Sequence, residues 1–257
     1  MPILAERGYL IPAIDTESVD YLGCAQQLAK SIRQWHPDAN IAVITVKRCD
    51  DPVFNHVIPL PYGDLGGFAN DWQCFAASPY RQTIKLEADM YAATPIDHWW
   101  TLFENRDVVI SQGCKGLYNE PSTNRTYRRL FDKNRFPDVY NAVTYWRLSS
   151  TAKEFFELVR SVFENWDRFK TMLKFPDESP TTDVVYAIAA TIMGVETVTL
   201  PVGLGLQITH MKQGIIPTMT NNWTDELVWE NSDPGLRIHT VAQQGFVHYH
   251  VKNWRAL

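Results

Sequence analysis

Apolar residues along the chain fall into two periods, and the switching between them predicts the architecture. Gly8-Tyr-Leu-Ile-Pro-Ala-Ile14 and Ile41-Ala-Val-Ile-Thr-Val46 are apolar runs of strand length, the pattern of parallel strands covered on both faces. Between them Val19, Leu22, Ala25, Leu28, Ala29 and Ile32 keep helical spacing. The polar cluster Asp15-Thr16-Glu17-Ser18 can cap that helix, and His36-Pro37 ends it. The opening is therefore β-α-β. Val57-Ile58 predicts a short strand, a Pro- and Gly-rich loop follows, and a weak helix covers residues 68–77. Further strands are expected around Thr83–Leu86, Asp107–Ser111 and Val139–Leu148, and an aromatic helix or loop from Ile96 to Phe103. Thr151 to Lys170 predicts the longest amphipathic helix. Another opens at Pro180-Thr181-Thr182-Asp183 and runs through Ile192. Glu196 to Leu200 reads as the last long strand, and residues 201–257 as irregular. The alternation predicts an α/β domain with a mostly parallel central sheet flanked by helices. With no repeat or linker in view, residues 1–257 are expected to form a single domain.

The chemistry concentrates where one strand stops. Gln82-Thr-Ile-Lys-Leu-Glu-Ala-Asp89 is a β-rich run ending in two carboxylates. In a strand Glu87 and Asp89 share a face, and two converging carboxylates make a hard oxygen site suited to Mg²⁺ or Mn²⁺. Such a pair is also common in solvated loops, so its neighbours decide. His248 and His250 alternate with Tyr249, which in a strand gives them one face, and a ligand role competes with ordinary packing for both. His210 competes for the same role. Asp15, Thr16 and Tyr21 follow the first strand, where an α/β sheet presents its ligand crevice; Tyr21 could stack on a base or pack in the core. Asp183 could be a helix-start carboxylate favoured by the dipole or a group facing a substrate. Asp71 could contact a sugar or cap a helix, Lys252 could meet an anion or solvent, and Trp254 reads as a core plug.

Composition narrows the class. The chain is 45% hydrophobic and 21% charged, as in soluble globular proteins, and lacks an apolar run of the roughly 18 residues a membrane span needs. An N-terminus without an apolar signal core leads to the expectation of a cytoplasmic protein. Four widely spaced cysteines point to reduced thiols. Net charge is −5, but residues 113–136 carry six cations (Lys115, Arg125, Arg128, Arg129, Lys133, Arg135) against Glu120 and Asp132, or +4. The segment from Lys115 to Arg135 therefore either meets an anionic partner or is a solvated arginine-rich stretch.

Taken in order, these motifs resemble the GT-A nucleotide-sugar glycosyltransferases, and the glycogenin-like group within them. Ser78-Pro-Tyr-Arg-Gln-Thr-Ile-Lys-Leu-Glu-Ala-Asp-Met90 is similar to the family's DxD strand. Tyr140-Asn141-Ala142 through Arg147 is similar to its later strand with Asn near the donor sugar, and Thr181-Thr182-Asp183 to its acceptor-facing helix start. Val247-His248-Tyr249-His250-Val251-Lys252-Asn253-Trp254 resembles its closing His-x-x-G-x-x-Lys-Pro-Trp segment. Ser78–Asp89 and Phe136–Asn141 also resemble phage-encoded members. The resemblance implies a GT-A (Rossmann-like) domain, with residues 1–111 binding the nucleotide sugar and 112–257 the acceptor and closing segment. It implies a hexosyl- or pentosyltransferase using a UDP-sugar donor and Mn²⁺ or Mg²⁺. Metal ligands would come from Glu87, Asp89, His248 and His250. Donor contacts would come from Asp15, Thr16, Tyr21, Asn141 and Lys252, and catalysis from Asp183 together with Asp89. The sequence departs from the pattern at Glu87, which stands where Asp is usual, and in the tail, which lacks the Gly and Pro. Phage kinship and the basic segment point to a 5-hydroxymethylated pyrimidine in DNA as acceptor; protein, glycan or lipid-linked acceptors are the alternatives. Two other classes compete: a nucleotidyltransferase, which should carry a Gly-rich basic loop after the first strand, and a catalytically inactive sugar-nucleotide-binding module.

Overall fold

The computed structural model describes residues 2–122, 127–201, 204, 206–232 and 235–256. The first half runs β1 (Ala5–Pro12), α1 (Tyr21–Trp35), β2 (Ile41–Ile44), β3 (His56–Ile58), α2 (Gln73–Ala77), β4 (Tyr80–Leu86), β5 (Met90–Ala92), α3 (His98–Phe103) and β6 (Val108–Gln112). There follow β7 (Cys114–Lys115), β8 (Pro121–Ser122), α4 (Arg128–Asn134), β9 (Val139–Arg147), α5 (Ser150–Glu164), α6 (Trp166–Leu173), α7 (Thr182–Met193) and α8 (Val195–Val198). The tail contributes β10 (Ile208–His210), β11 (Trp229–Ser232), β12 (Gly235–Ile238), β13 (Val241–Ala242) and β14 (Phe246–His248).

A six-stranded sheet in the order β3-β2-β1-β4-β9-β6 forms the centre. The β3, β2, β1 and β4 pairings are parallel, and β9 runs antiparallel to both β4 and β6. Five of the six strands therefore point the same way. Side chains alternate between two cores. Tyr9, Ile11, Ile41, Val43, Ile84 and Leu86 join α1 and the tail on one face, while Leu10, Ala42, Ile44 and Tyr80 join α5 and α7 on the other. Continuous apolar runs form these strands because both faces are covered. Gly8 is required where β1 meets β4, since a Cβ there would sit 2.5 Å from the buried Tyr80 ring.

A second sheet, in the order β5-β14-β10-β7-β8, stands at the C-terminal end of β4, and β11-β12-β13 form an antiparallel meander. No helix among the described residues is long and apolar enough to cross a membrane. The four cysteines form no disulfide.

Several expectations are corrected here. The N-cap of α1 is Asp20, whose carboxylate accepts the Gly23 N–H at 2.9 Å. Of the cluster expected to cap it, Asp15 accepts the first-turn Leu22 N–H at 2.9 Å, while Thr16 braces the turn before the helix. The long helix at 151–170 is two helices parted at Asn165, whose side-chain amide donates to the Ser161 carbonyl, competing for the helical backbone. Residues 196–200 are no strand: Gly194, at φ 96, ends α7, and a single helical turn, α8, follows. The tail is not irregular, because β10 to β14 lie within it. These strands are two to four residues long; β10 and β14 take their form from pairing with distant partners, and β11 to β13 from pairing with one another.

Candidate active site

Parallel strands β1 and β4 end at the same edge of the central sheet, and a cleft of about 1100 Å³ opens there. The second sheet supplies its other wall. β14 lies antiparallel to β5, with His248 opposite Met90, and parallel to β10, with His248 opposite His210. The Tyr249 N–H donates to the Asp89 carbonyl at 3.1 Å. This register carries the tail imidazoles, far away in sequence, to the acidic pair after β4.

Asp89, His248 and His250 each present one ligand atom, and these atoms lie within 4.8 Å of one another. His248 Nε2 is 2.9 Å from Asp89 Oδ2, and His250 Nδ1 is 3.9 Å from the same oxygen. The Lys252 ammonium pairs with that oxygen too. Glu87 stands on the other side of the imidazole, its Oε2 3.3 Å from His248 Nδ1, where the Tyr140 hydroxyl also bonds. The rings form a stack: His248 on His250 at 3.8 Å, and His210 on His250 at 4.5 Å and on Tyr140 at 4.6 Å between centroids. The expected shared strand face for the two tail histidines is corrected, because β14 stops at His248 and His250 has a left-handed φ of 57°. They converge through a turn.

Electrostatics follows from this crowding. Burial pushes the Glu87 carboxyl up to about 7, with nearby Asp89 also raising it, against the pull of His248; 28% of its side chain still faces the cleft. Burial opposes the Asp89 charge, but His248, Lys252 and His250 outweigh it and hold Asp89 well below the usual carboxylate range. Burial likewise opposes a charge on His248, and Asp89 with Glu87 reverses the balance and raises it. His250 is driven well below its ordinary value by burial and by the neighbouring imidazoles, so it is neutral and keeps a lone pair. Its Nε2 is buried with no hydrogen-bond partner among the described residues. Its other ring nitrogen, Nδ1, is the one beside Asp89. Two imidazoles converging on a carboxylate, one of them with an orphaned nitrogen, fit a divalent cation with mixed nitrogen and oxygen ligands.

The other candidates divide. Tyr21, the first residue of α1, lines the cleft with Lys252 Nζ 5.2 Å above its ring. Asp15 lines the cleft as well, but it accepts the Leu22 N–H at 2.9 Å and pairs with Lys47 at 2.5 Å. Thr16 accepts the Val19 N–H. Asp183, in the first turn of α7, lines the cleft, and its Oδ1 accepts the Asn141 backbone N–H at 2.7 Å. Asn141 itself is fully buried behind that wall. Trp254 is a core plug among Tyr91, Trp223, Trp229 and Tyr249. Arg125 of the basic segment lies outside the described residues. Arg128 is paired with Asp132 and Asp138, and Lys115 bonds Gln207. Sequence reading missed Tyr140 as a partner of the imidazoles; no periodicity marks it.

The arrangement of the central sheet, with the second sheet at its ligand edge, is the GT-A fold. The apo crystal structure of mouse xyloside xylosyltransferase 1 superposes with a TM-score of 0.53 over 98% of this chain and 99% of that one, at 10% identity. The galactosyltransferase LgtC, in complex with donor and acceptor sugar analogs, gives 0.48 over 70% of each chain at 11% identity. The glycosyltransferase GlyE of Streptococcus pneumoniae gives 0.46 over 76% of this chain and 45% of that one, at 10% identity. At such identities a likeness defines a fold alone. No family model matches the sequence, and no curated protein does.

Proposed function

We propose that the chain is a metal-dependent glycosyltransferase that moves a sugar from a UDP-sugar to an acceptor hydroxyl, with Mn²⁺ or Mg²⁺ as its ion. The observation that carries this reading is the Asp89–His248–His250 trio beside Lys252, at the ligand edge of a GT-A sheet. The metal, when bound, stabilises the negative charge that gathers on the departing diphosphate.

Asp89, His248 through Nε2, and His250 are the ligands in this reading. Glu87 with Tyr140 takes the remaining nitrogen of His248, an outer partner that fixes the ring. Lys252 turns from Asp89 to the diphosphate, adding a second positive charge where negative charge develops. Tyr21, which lines the cleft, is the stacking platform for the base once Lys252 turns away from its ring, with Asp15 at the start of α1 and Thr16 in the turn before it shaping the nucleotide pocket. Asn141 acts from behind, its backbone holding the Asp183 carboxylate toward the acceptor. Asp183 then serves as base or as orienter of the acceptor hydroxyl. Residues 1–111 hold most of the nucleotide, and 112–257 the acceptor wall and the closing segment.

Charge bears on the acceptor. The cleft is lined by the carboxyls of Asp15, Asp64, Asp71, Glu87, Asp89 and Asp183 against the ammoniums of Lys212 and Lys252. Although Lys47 and Lys85 pair with Asp15 and Asp71 and the raised Glu87 and His248 hold protons, acidic side chains outnumber basic ones along it. A polyanion meets repulsion there, and of the segment from Lys115 to Arg135 only Tyr127, among the described residues, reaches the cleft. A neutral acceptor, a glycan or protein hydroxyl, therefore fits better than a hydroxymethylated base in DNA.

The test is thermal stabilisation by a panel of UDP-sugars with and without Mn²⁺, on wild type and Asp89→Ala, followed by acceptor screening with oligosaccharides and hydroxymethylated DNA. Ligand binding to the folded state raises Tm by mass action. A Mn²⁺-dependent shift lost in Asp89→Ala is expected. No shift with any nucleotide sugar overturns the reading, and binding without transfer or donor hydrolysis leaves a binding module in its place.

A further inference from the structure

One charged network inside the protein has no part in metal or nucleotide chemistry. Lys85 stands in β4, fully buried between Ile84 and Leu86. Its ammonium pairs with Asp71 Oδ1 at 2.6 Å and lies over the Tyr186 ring, 5.5 Å from the centroid. The Tyr186 hydroxyl donates to the other oxygen, Asp71 Oδ2. Tyr186 is itself fully buried in α7, about one turn past Asp183. Of the three, Asp71 alone lines the cleft, with 11% of its side chain exposed.

A buried ion pair is weak grounds for stability, since desolvation offsets its attraction. Packing alone would be served by another aliphatic residue at position 85. What the network achieves is a carboxylate held in one orientation at the cleft surface. Burial pulls the Lys85 ammonium down, yet Asp71 leads the groups that raise it, and it remains charged. Burial and then Asp71 keep the Tyr186 phenol protonated, so it donates. A carboxylate offers about four acceptor sites; Lys85 and Tyr186 fill two, and the group lines the cleft with acceptor capacity to spare.

The network also fixes where in the cleft this acceptor lies. Lys85 in β4 and Glu87, the residue just past its end, are i and i+2, and Glu87 touches His248. Tyr186 and Asp183 are neighbours on one face of α7. Asp71 therefore stands between the diphosphate end and the acceptor end. The sugar of a bound donor, covalently tied to its diphosphate, has to occupy that interval.

Resting on the donor reading above, we infer that Asp71 is a specificity-determining residue that accepts hydrogen bonds from hydroxyl groups of the transferred sugar, with Lys85 and Tyr186 as its positioning residues. A site built to bond a hydroxyl discriminates strongly against an analogue lacking it, so this carboxylate selects the sugar while the trio and Lys252 hold the nucleotide.

Calorimetry on the Mn²⁺-loaded protein separates the two roles. Binding of UDP is compared with that of UDP-glucose, UDP-galactose, UDP-xylose and UDP-N-acetylglucosamine, in wild type, Asp71→Asn and the double variant Asp71→Asn/Lys85→Met. The double variant removes both charges together, so that neither is left buried alone. Wild type is expected to bind at least one UDP-sugar more tightly than UDP. Both variants should keep UDP affinity within about twofold and lose about 10- to 100-fold of the sugar increment, the worth of a charged hydrogen bond. A donor lacking the contacted hydroxyl should lose a similar factor in wild type and nothing further in the variants. A sugar increment that survives in the folded double variant overturns the inference. So does a loss of UDP affinity equal to the loss for the UDP-sugar, or a wild type showing no increment for any sugar tested. A wild type that fails to bind UDP itself overturns the donor reading instead.

Discussion

β1 and β4 lie side by side, run parallel and end at one crevice, and each is followed by an aspartate, yet the two ends have become different things. Asp15 is engaged by its own surroundings: the Leu22 N–H, the Lys47 ammonium, and a turn that Thr16 helps to close. Asp89 is just as buried, but its partners are His248, His250 and Lys252, three side chains from a distant part of the chain. A strand end in the crevice nominates a carboxylate; the groups that meet it decide whether it braces a loop or binds a cation.

The largest effect should separate these two aspartates outright. Asp89→Ala should weaken Mn²⁺ binding by more than about 100-fold, since loss of an outer partner alone costs 10- to 100-fold, whereas Asp15→Ala should change it by no more than about twofold. Free Mn²⁺ counted by EPR during titration reads both, and equal losses would erase the contrast.

His250→Ala removes a neutral ligand and should cost on the order of 10- to 100-fold in the same titration. The Mn²⁺-bound wild type should show nitrogen couplings from two imidazoles in pulsed EPR, and the variant from one. Two couplings surviving in the variant would bring in His210 or remove His250 from the shell.

A smaller effect concerns pH. Glu87, raised from 4.5 to about 7, and His248, raised from 6.5, both hold protons in the metal-free fold that the unfolded chain has released. Their contribution is complete below the unfolded values and disappears as pH rises through the folded ones. His250, shifted down, is neutral in the fold, and the proton its unfolded form still partly carries near pH 6.5 opposes this trend only at the start of the window. Between pH 6.5 and 8 the Tm of chelator-treated protein should therefore fall from this cluster. Mn²⁺ affinity should rise across the same window, by up to about tenfold per pH unit where one proton is released. Glu87→Gln should flatten both trends; trends that persist unchanged in it would assign the proton elsewhere.

Least of all, Thr16→Ala should lower stability by about 1 kcal/mol or less through the lost turn bond while leaving Mn²⁺ affinity untouched. A metal effect from Thr16 would mean that the β1 end belongs to the metal site after all.

The central sheet was legible because its strands are long apolar runs. β1, β2, β4 and β9 were read from the chain, as was the helix start at Thr182. Half of the site was legible with it: Glu87 and Asp89 end a strand that periodicity reveals. The other half was not. β5, β10 and β14 are three residues each, too short to display a period, and exist because Phe246 pairs with Ala92 and Ile208. His248 and His250 were nominated through resemblance, and the turn that joins them is visible only in the backbone. Lys85 did leave a signal, a lysine within an apolar strand, which asks for a buried partner. Its partner Asp71 lies in the turn before α2, and nothing local points from one to the other.

The pairing of β14 with β5 also has a consequence for the order of assembly. Translation delivers β1 to β5 first, so the Asp89 carboxylate emerges from the ribosome long before the histidines that complete its site. A growing chain can build much of the central sheet while that carboxylate has neither imidazole nor ammonium beside it, and domains do fold progressively as they are synthesised. The proposed trio of Asp89, His248 and His250 can come together only once β14 has added to the edge of β5 and Trp254 has seated in its aromatic pocket. On the proposed ligand set a half-made chain lacks both imidazoles, so cation binding would report that the tail has docked.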